Sequence, residues 1–393
     1  MNSISTSVMR SELPLSLYVH LPWCVKKCPY CDFNSHEVSS VVLADLAYAD
    51  ALVSDINFEI SRLADRSITS IFIGGGTPSL FSVEALEKIF NKVHSQWKIS
   101  PEAEITLEAN PGTTDADRFK GYRDLGINRL SIGVQSFDDN KLQKLGRIHD
   151  AGDAHRAIQS ANEAGFDNVN IDLMFGLPNQ TISEALEDVH TACSQAVTHI
   201  SWYQLTLEPN TVFHKYPPAL PDDDETWEMQ RQGQAILAQQ GFAQYEISAY
   251  AKPDMQCKHN LNYWQFGDYL GIGAGAHGKI TDIKEHRINR FIRHRIPETY
   301  MQKAGDGDAI VEQKTVGKED VILEFMMNVL RLNEGFSESL FSVQTGLEMQ
   351  DIQAQLNIAI DRGFIIQKGK TIKPTKTGLN YLNDVLAIFM PAT

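Results

Sequence analysis

Six short apolar runs recur through the first half of the chain, mostly separated by amphipathic stretches, and they constrain its fold most strongly. They are "LSLYVHLP" (15–22), "SITSIFIGGG" (67–76), "AEITLEAN" (103–110), "NRLSIGVQSF" (128–137), "DNVNIDLMFG" (167–176) and "THISWYQLTL" (198–207). Between them lie helical patterns such as "VEALEKIFNKVH" (83–94) and "AGDAHRAIQSANEAG" (151–165). Parallel strands need long crossovers, usually helical, so this alternation predicts βα units around a parallel sheet. Six units predict an α/β fold, an open or partial (β/α)6 barrel. The Pro-rich, acid-terminated segment 208–227 predicts a long surface connection before another helix. A second break near 303–320 precedes "VILEFMMNVLRL", "DIQAQLNIAIDRG" and the hairpin-like "GFIIQKGKTIKPTKTG". That order predicts a C-terminal helical, winged-helix-like domain. The expected division is a core at 1–240, a barrel extension at 241–314 and the C-terminal domain at 315–393. A chain of 393 residues suits two or three domains.

The 35 Lys and Arg against 50 Asp and Glu give a formal charge of −15, which argues against broad nucleic-acid binding. The opening "MNSISTSVMRSELP" has no apolar targeting core, and no later run approaches a membrane span. A reducing, cytoplasmic setting is therefore expected. There, clustered cysteines are more often metal ligands or catalytic groups than disulfides.

Three of the five cysteines fall within "CVKKCPYC" (24–31). A structural zinc site wants four ligands, so Cys24, Cys28 and Cys31 would need His20 or His36. A redox pair of Cys28 and Cys31 leaves Cys24 without a role. A 4Fe–4S cluster with three thiolate ligands and one open iron fits the spacing best, because clusters that only carry electrons normally have four. The loop also follows the first strand, at the end where α/β barrels place their chemistry. Other strand ends carry groups that suit a ligand. Gly74, Gly75, Gly76 and Thr77 follow the second strand, and glycines let backbone approach a ligand closely. Glu108, Gln135 and Asp172 are polar residues on the apolar third, fourth and fifth strands. Polar groups are costly to bury unpaired, which predicts a shared wet or liganded pocket.

The C-x3-C-x2-C loop resembles the signature of the radical S-adenosylmethionine (SAM) superfamily. That resemblance implies that SAM chelates the open iron and that the reduced cluster cleaves SAM to methionine and a 5′-deoxyadenosyl radical. "YVHLPWC", "CPYCDF", "GGGTPS", "LEANPGT", "SIGVQSF", "LGRIHD" and "NIDLMFGLP" are similar to segments of the coproporphyrinogen-oxidase-like radical SAM proteins. Carried onto these positions, the resemblance implies SAM contacts from Tyr18, Tyr30, Gly75, Gly76, Thr77, Glu108, Gln135, Arg147 and Asp172. Arg147 would pair with the SAM carboxylate.

Within that group, the oxygen-independent coproporphyrinogen III oxidases carry a further cysteine two places after the third cluster ligand. Here that place is Phe33, which resembles the sister HemW family of haem chaperones. The H-N-x-x-Y-W string from His259 to Trp264 resembles that family's haem-binding motif. It implies His259 as axial haem ligand, with Tyr263 and Trp264 near the ring and Cys257 as a second candidate. Arg287, Arg290, Arg293 and Arg295 read as a solvated basic face or as propionate partners. Lys368, Lys370, Lys373 and Lys376 lie in the wing of a domain that is not basic as a whole, so DNA binding is not expected. The function implied is binding of haem, a 4Fe–4S cluster and SAM, with delivery of haem to haem-requiring proteins, membrane-associated respiratory ones among them. The alternatives are an oxygen-independent coproporphyrinogen III oxidase or another radical SAM enzyme of porphyrin metabolism, and a zinc-stabilised interaction protein. Whether the chain is an enzyme stays open.

Overall fold

The computed structural model describes residues 13–38, 43–63, 66–113, 116–282, 285 and 287–391. Residues 1–12, which carried most of the expectation about a targeting segment, lie outside the described residues. The six apolar runs form the parallel strands β1 (Leu15–Leu21), β2 (Ser67–Gly75), β3 (Lys98–Ala109), β4 (Arg129–Gln135), β5 (Val169–Phe175) and β6 (His199–Gln204). Sequential strands are neighbours in that order, as short right-handed crossovers favour. β1, β4 and β5 are almost wholly buried, because helices cover the outer face and the barrel interior lies on the other.

The helices begin where the sequence offers a cap. Ser82 caps Val83–Gln96, while Asp150 with Asp153 and Thr181 with Glu184 form capping boxes at Ala151–Glu163 and Ile182–Ser194. In Val83–Gln96, residues Ala85, Leu86, Ile89, Phe90 and Val93 are buried, the stripe expected of a helix lying on a sheet. The segment 208–227 is less bare than expected. It holds the short helix Val212–Lys215, capped by Thr211, and the start of Asp223–Gln239, capped by Asp222.

The sheet continues past the six strands at both edges. β7 (Ala243–Glu246) and β8 (Ala249–Ala251) add antiparallel beyond β6. On the other edge β9 (Asp268–Ile272) pairs parallel to β1, followed antiparallel by β10 (His277–Asp282), β11 (Arg287–Arg293) and β12 (Ile310–Thr315). The result is one twelve-stranded sheet. Buried ions bolt this extension to the barrel: Asp268 pairs with Arg66 and Lys279, each at 3.1 Å, and Arg293 pairs with Asp55 at 2.7 Å and Glu59 at 2.9 Å.

The C-terminal region has its own core, with Phe325 edge-on to both Phe336 and Phe341 at 5.1 Å. Helices Lys318–Val329, Glu338–Thr345 and Gln353–Asp361 precede the hairpin Ile365–Lys368 and Thr371–Pro374, a winged-helix-like order. Among the described residues, no helix is long and apolar enough to cross a membrane.

Candidate functional site

The cysteine loop leaves β1 directly. Trp23–Cys24 pairs with His36–Glu37, closing the loop, and the Cys31 N–H donates to the Cys28 carbonyl at 3.1 Å. Lys27 reaches back to the carbonyls of Phe33 and Ser35 at 3.0 and 3.2 Å. All three cysteines border a cavity of about 390 Å³ at the C-terminal ends of the strands. Burial raises the Cys24 and Cys31 thiols, so as bare thiols they stay protonated at neutral pH.

This outer lobe also gathers Tyr30, Gly75, Gly76, Thr77, Glu108, Gln135, Arg147 and Asp172. Gly75 has φ +115°, and a Cβ there would lie 2.6 Å from the His20 ring, so only glycine fits. Its N–H donates to Glu108 Oε2 at 3.0 Å. Gln135 sits at φ +70° and accepts from the Tyr203 hydroxyl at 3.0 Å. Arg147 donates to the Gly133 carbonyl at 2.7 Å and lies 3.6 Å from Cys28 Sγ. Burial, with the charge of Asp172 next, pushes the Glu108 carboxyl up to about 7, against the Gly75 N–H. Burial likewise raises Asp172, against hydrogen bonds from Asn170 and its neighbours.

Behind this lies an inner lobe of about 640 Å³, which shares Asp32, Phe33, Gly75, Glu108, Ser131 and Asp172 with the outer one. Tyr18 belongs here and not to the outer lobe, and its hydroxyl meets His20 Nδ1 at 2.9 Å. His20 Nε2 meets the Asn34 carbonyl at 2.9 Å, so Nε2 donates and Nδ1 accepts. Both ring nitrogens are thus engaged, and His20 lines the inner lobe, not the one that the three cysteines border.

His259 lines the inner lobe from the helix Lys258–Trp264, 1% exposed. Its Nδ1 meets Ser70 Oγ at 3.0 Å and its Nε2 meets Tyr263 Oη at 3.2 Å. Burial, with the charge of Arg129, lowers it to about 3, so the imidazole is neutral. Glu104, on β3, anchors this helix start: it accepts from the N–H groups of Lys258 and His259, each at 3.1 Å, and from Cys257 Sγ at 3.3 Å. Burial pushes the Cys257 thiol up to about 12, and with its proton spent on Glu104 it borders neither lobe.

The structure separates other residues expected to act together. Trp264 faces the C-terminal domain with the Arg331 guanidinium 4.3 Å above its ring, because it lies one residue round the helix from Tyr263. Of the four arginines, Arg293 is buried on Asp55 and Glu59, Arg290 meets Glu324 and Tyr269, and Arg287 lies 3.8 Å from Glu285. Arg295 alone of the four lines the inner lobe. Ser70, Glu104, Arg129 and Asn170 went unnoticed in the sequence, although each is a polar residue within an apolar strand, the signal that picked out Glu108 and Asp172.

The residues present fit a cluster and SAM. Three thiols share one lobe with an unpartnered donor, Arg147 Nε, and an unpartnered acceptor, Asn110 Oδ1. Such a pair suits a ligand bearing both an anionic and a cationic group.

Comparison with known proteins agrees. The radical SAM superfamily profile matches residues 18–192, and the HemN C-terminal domain profile matches residues 316–380. The chain is 48% identical over 381 residues to the haem chaperone HemW of Haemophilus influenzae, covering 96% of this chain and 98% of that protein. The chain belongs to the HemW family. HemW of Escherichia coli K12 is 47% identical over 377 residues, with the same shares covered. Among solved structures, the Escherichia coli coproporphyrinogen III oxidase HemN superposes with a TM-score of 0.80 at 24% identity, covering 98% of this chain and 92% of that one. That likeness shows the α/β fold this HemW family member shares with HemN. Membership of the radical SAM superfamily implies a 4Fe–4S cluster and SAM.

Proposed function

We propose that this chain is a haem chaperone: it binds haem in the inner lobe, holds a 4Fe–4S cluster and SAM in the outer lobe, and passes haem to haem-requiring proteins. The observation that carries this reading is a neutral imidazole, His259, lining a cavity continuous with the cysteine-lined one in a HemW family member. A neutral ring nitrogen is what iron ligation requires, and the 3.2 Å contact of Nε2 with Tyr263 is a long hydrogen bond that an iron can replace. Tyr18, Phe72, Tyr263 and Tyr269 give aromatic faces for a flat macrocycle.

Cys24, Cys28 and Cys31 would hold the cluster. When bound, cluster and SAM supply one-electron chemistry. Glu108 and Asp172 would take the SAM ammonium or ribose hydroxyls, Arg147 its carboxylate, and Gly75, Gly76 and Thr77 its backbone-facing edge. Gln135 would serve a hydroxyl or the adenine, Tyr30 would pack beside the loop, and Tyr18 would act from the inner side through His20. Phe33, 58% exposed and bordering both lobes, stands where the oxidases carry a cysteine. The setting is the cytoplasm, with membrane-associated respiratory proteins among the acceptors.

The test is anaerobic. Reconstituted protein should bind haem stoichiometrically and transfer it to a haem-free acceptor, and should form no protoporphyrinogen from coproporphyrinogen III with SAM and reductant. Substantial protoporphyrinogen would replace the chaperone reading with an oxidase.

A further inference from the structure

The inner lobe contains a buried cation whose Nε has no hydrogen-bond partner among the described residues. Arg129, on β4, is 2% exposed and lines the lobe. Its Nε has no partner, and its nearest carboxylate oxygen, Glu104 Oε2, lies 3.9 Å away, beyond hydrogen-bond range. Glu104 is already committed to Cys257, Lys258 and His259. Asn170, also lining the lobe, is fully engaged by its neighbours. Asn170 donates to Ser131 at 2.8 Å and to Asp172 at 2.9 Å, and accepts from Ser201 at 3.1 Å and His199 at 2.6 Å. Charge balance against Glu104 and Asp172 accounts for a cation here but not for a guanidinium with its Nε–H unused. Lysine would balance charge as well; a planar fork is a device for recognition.

The lobe also decides which anion. Glu108 and Asp172 border it, so a doubly charged group such as a phosphate would meet more repulsion here than one carboxylate group. Tyr18, Phe72 and Tyr263 call for an apolar, flat body on the same ligand. We propose that Arg129 receives a carboxylate of the inner-lobe ligand, which is one propionate if that ligand is haem. This rests on the haem reading for the ligand's name, not for the anion site.

The discriminating probes are ferric haem and its dimethyl ester, which has the same iron and ring but no carboxylate. Both are titrated into the reconstituted full-length protein and into Arg129→Met, Arg129→Lys and His259→Ala. The wild type should prefer haem over the ester. Arg129→Met should weaken haem roughly 10- to 150-fold and the ester less than about threefold, erasing the preference. Arg129→Lys should keep part of it, and if Arg129→Met does not fold, an undiminished preference in Arg129→Lys overturns the proposal. So does a wild type that binds both alike, or an Arg129→Met that weakens both equally. His259→Ala should weaken both probes equally; if it changes neither, the axial-ligand assignment fails, and the preference lost at Arg129 still stands as evidence for the anion site.

Discussion

The two lobes of the cavity are built in different ways. The outer lobe is assembled from residues at strand ends and in the turns that follow, Cys24 to Cys31, Gly75 to Thr77, Glu108 and Gln135, each inside a short contiguous motif. The inner lobe draws on side chains within the strands and on one distant helix: Tyr18, Phe72, Arg129, Asn170, Ser201 and His259. Loops that follow parallel strands can carry ligand groups at little cost to the core. Polar groups inside strands must be paired or liganded, and nearly all of these are paired. The groups of the outer lobe can therefore be changed with little disturbance of the core. The inner lobe is a chamber whose chemistry is tied to the fold.

Substitutions that separate the lobes test this contrast. The largest effect belongs to the cluster ligands: Cys28→Ala should lose iron and sulfide altogether while haem affinity stays within about threefold, read by metal analysis and haem titration. Loss of haem binding with the cluster would mean the lobes are not independent. Gly75→Ala strikes the shared wall. Its φ of +115° and the 2.6 Å approach to His20 predict a loss of about 3 kcal/mol or more in denaturant unfolding, with both ligands weakened.

Glu108 makes the shared wall pH-sensitive. Its folded pKa, about 7, lies above its ordinary value of 4.5, so between those values the folded protein binds a proton that the unfolded chain has released. Its contribution is full below pH 4.5 and is lost as pH rises through 7. Ligand-free protein should lose up to about 3 kcal/mol of stability over that window, and Glu108→Gln should flatten the slope. The smallest effect concerns the inner lobe alone. Glu104→Gln turns one acceptor into a donor facing backbone N–H groups of the His259 helix. It should cost about 1–3 kcal/mol and weaken haem, leaving SAM binding unchanged. An equal loss of SAM affinity would show that the lobes share this support.

The same contrast governs what the sequence reveals. The parallel core was legible because apolar runs and capped amphipathic helices alternate plainly. The outer lobe was legible because its residues are neighbours in sequence. The inner lobe depends on register, which sets Glu108 beside Ser131, Ser131 beside Asn170, and Asp172 beside Ser201. No local pattern carries that alignment, so the polar character of Arg129 and Asn170 within apolar strands did not by itself place them in one chamber with His259. Local strings also mislead about direction. His259 and Tyr263, four apart, share a helix face, while Trp264 turns to the other domain. β11 likewise splits a basic run: Arg287 is exposed while Arg293, six residues on and past a register shift between Ile292 and Arg293, is buried on Asp55 and Glu59.

The central claim is that the inner lobe holds haem through His259. Haem titration of the reconstituted wild type and His259→Ala, with iron and sulfide measured in both, tests it most directly. A cluster content equal to wild type with haem affinity reduced at least tenfold and a shifted Soret band is the predicted result. Unchanged affinity and an unchanged Soret band in His259→Ala would contradict it.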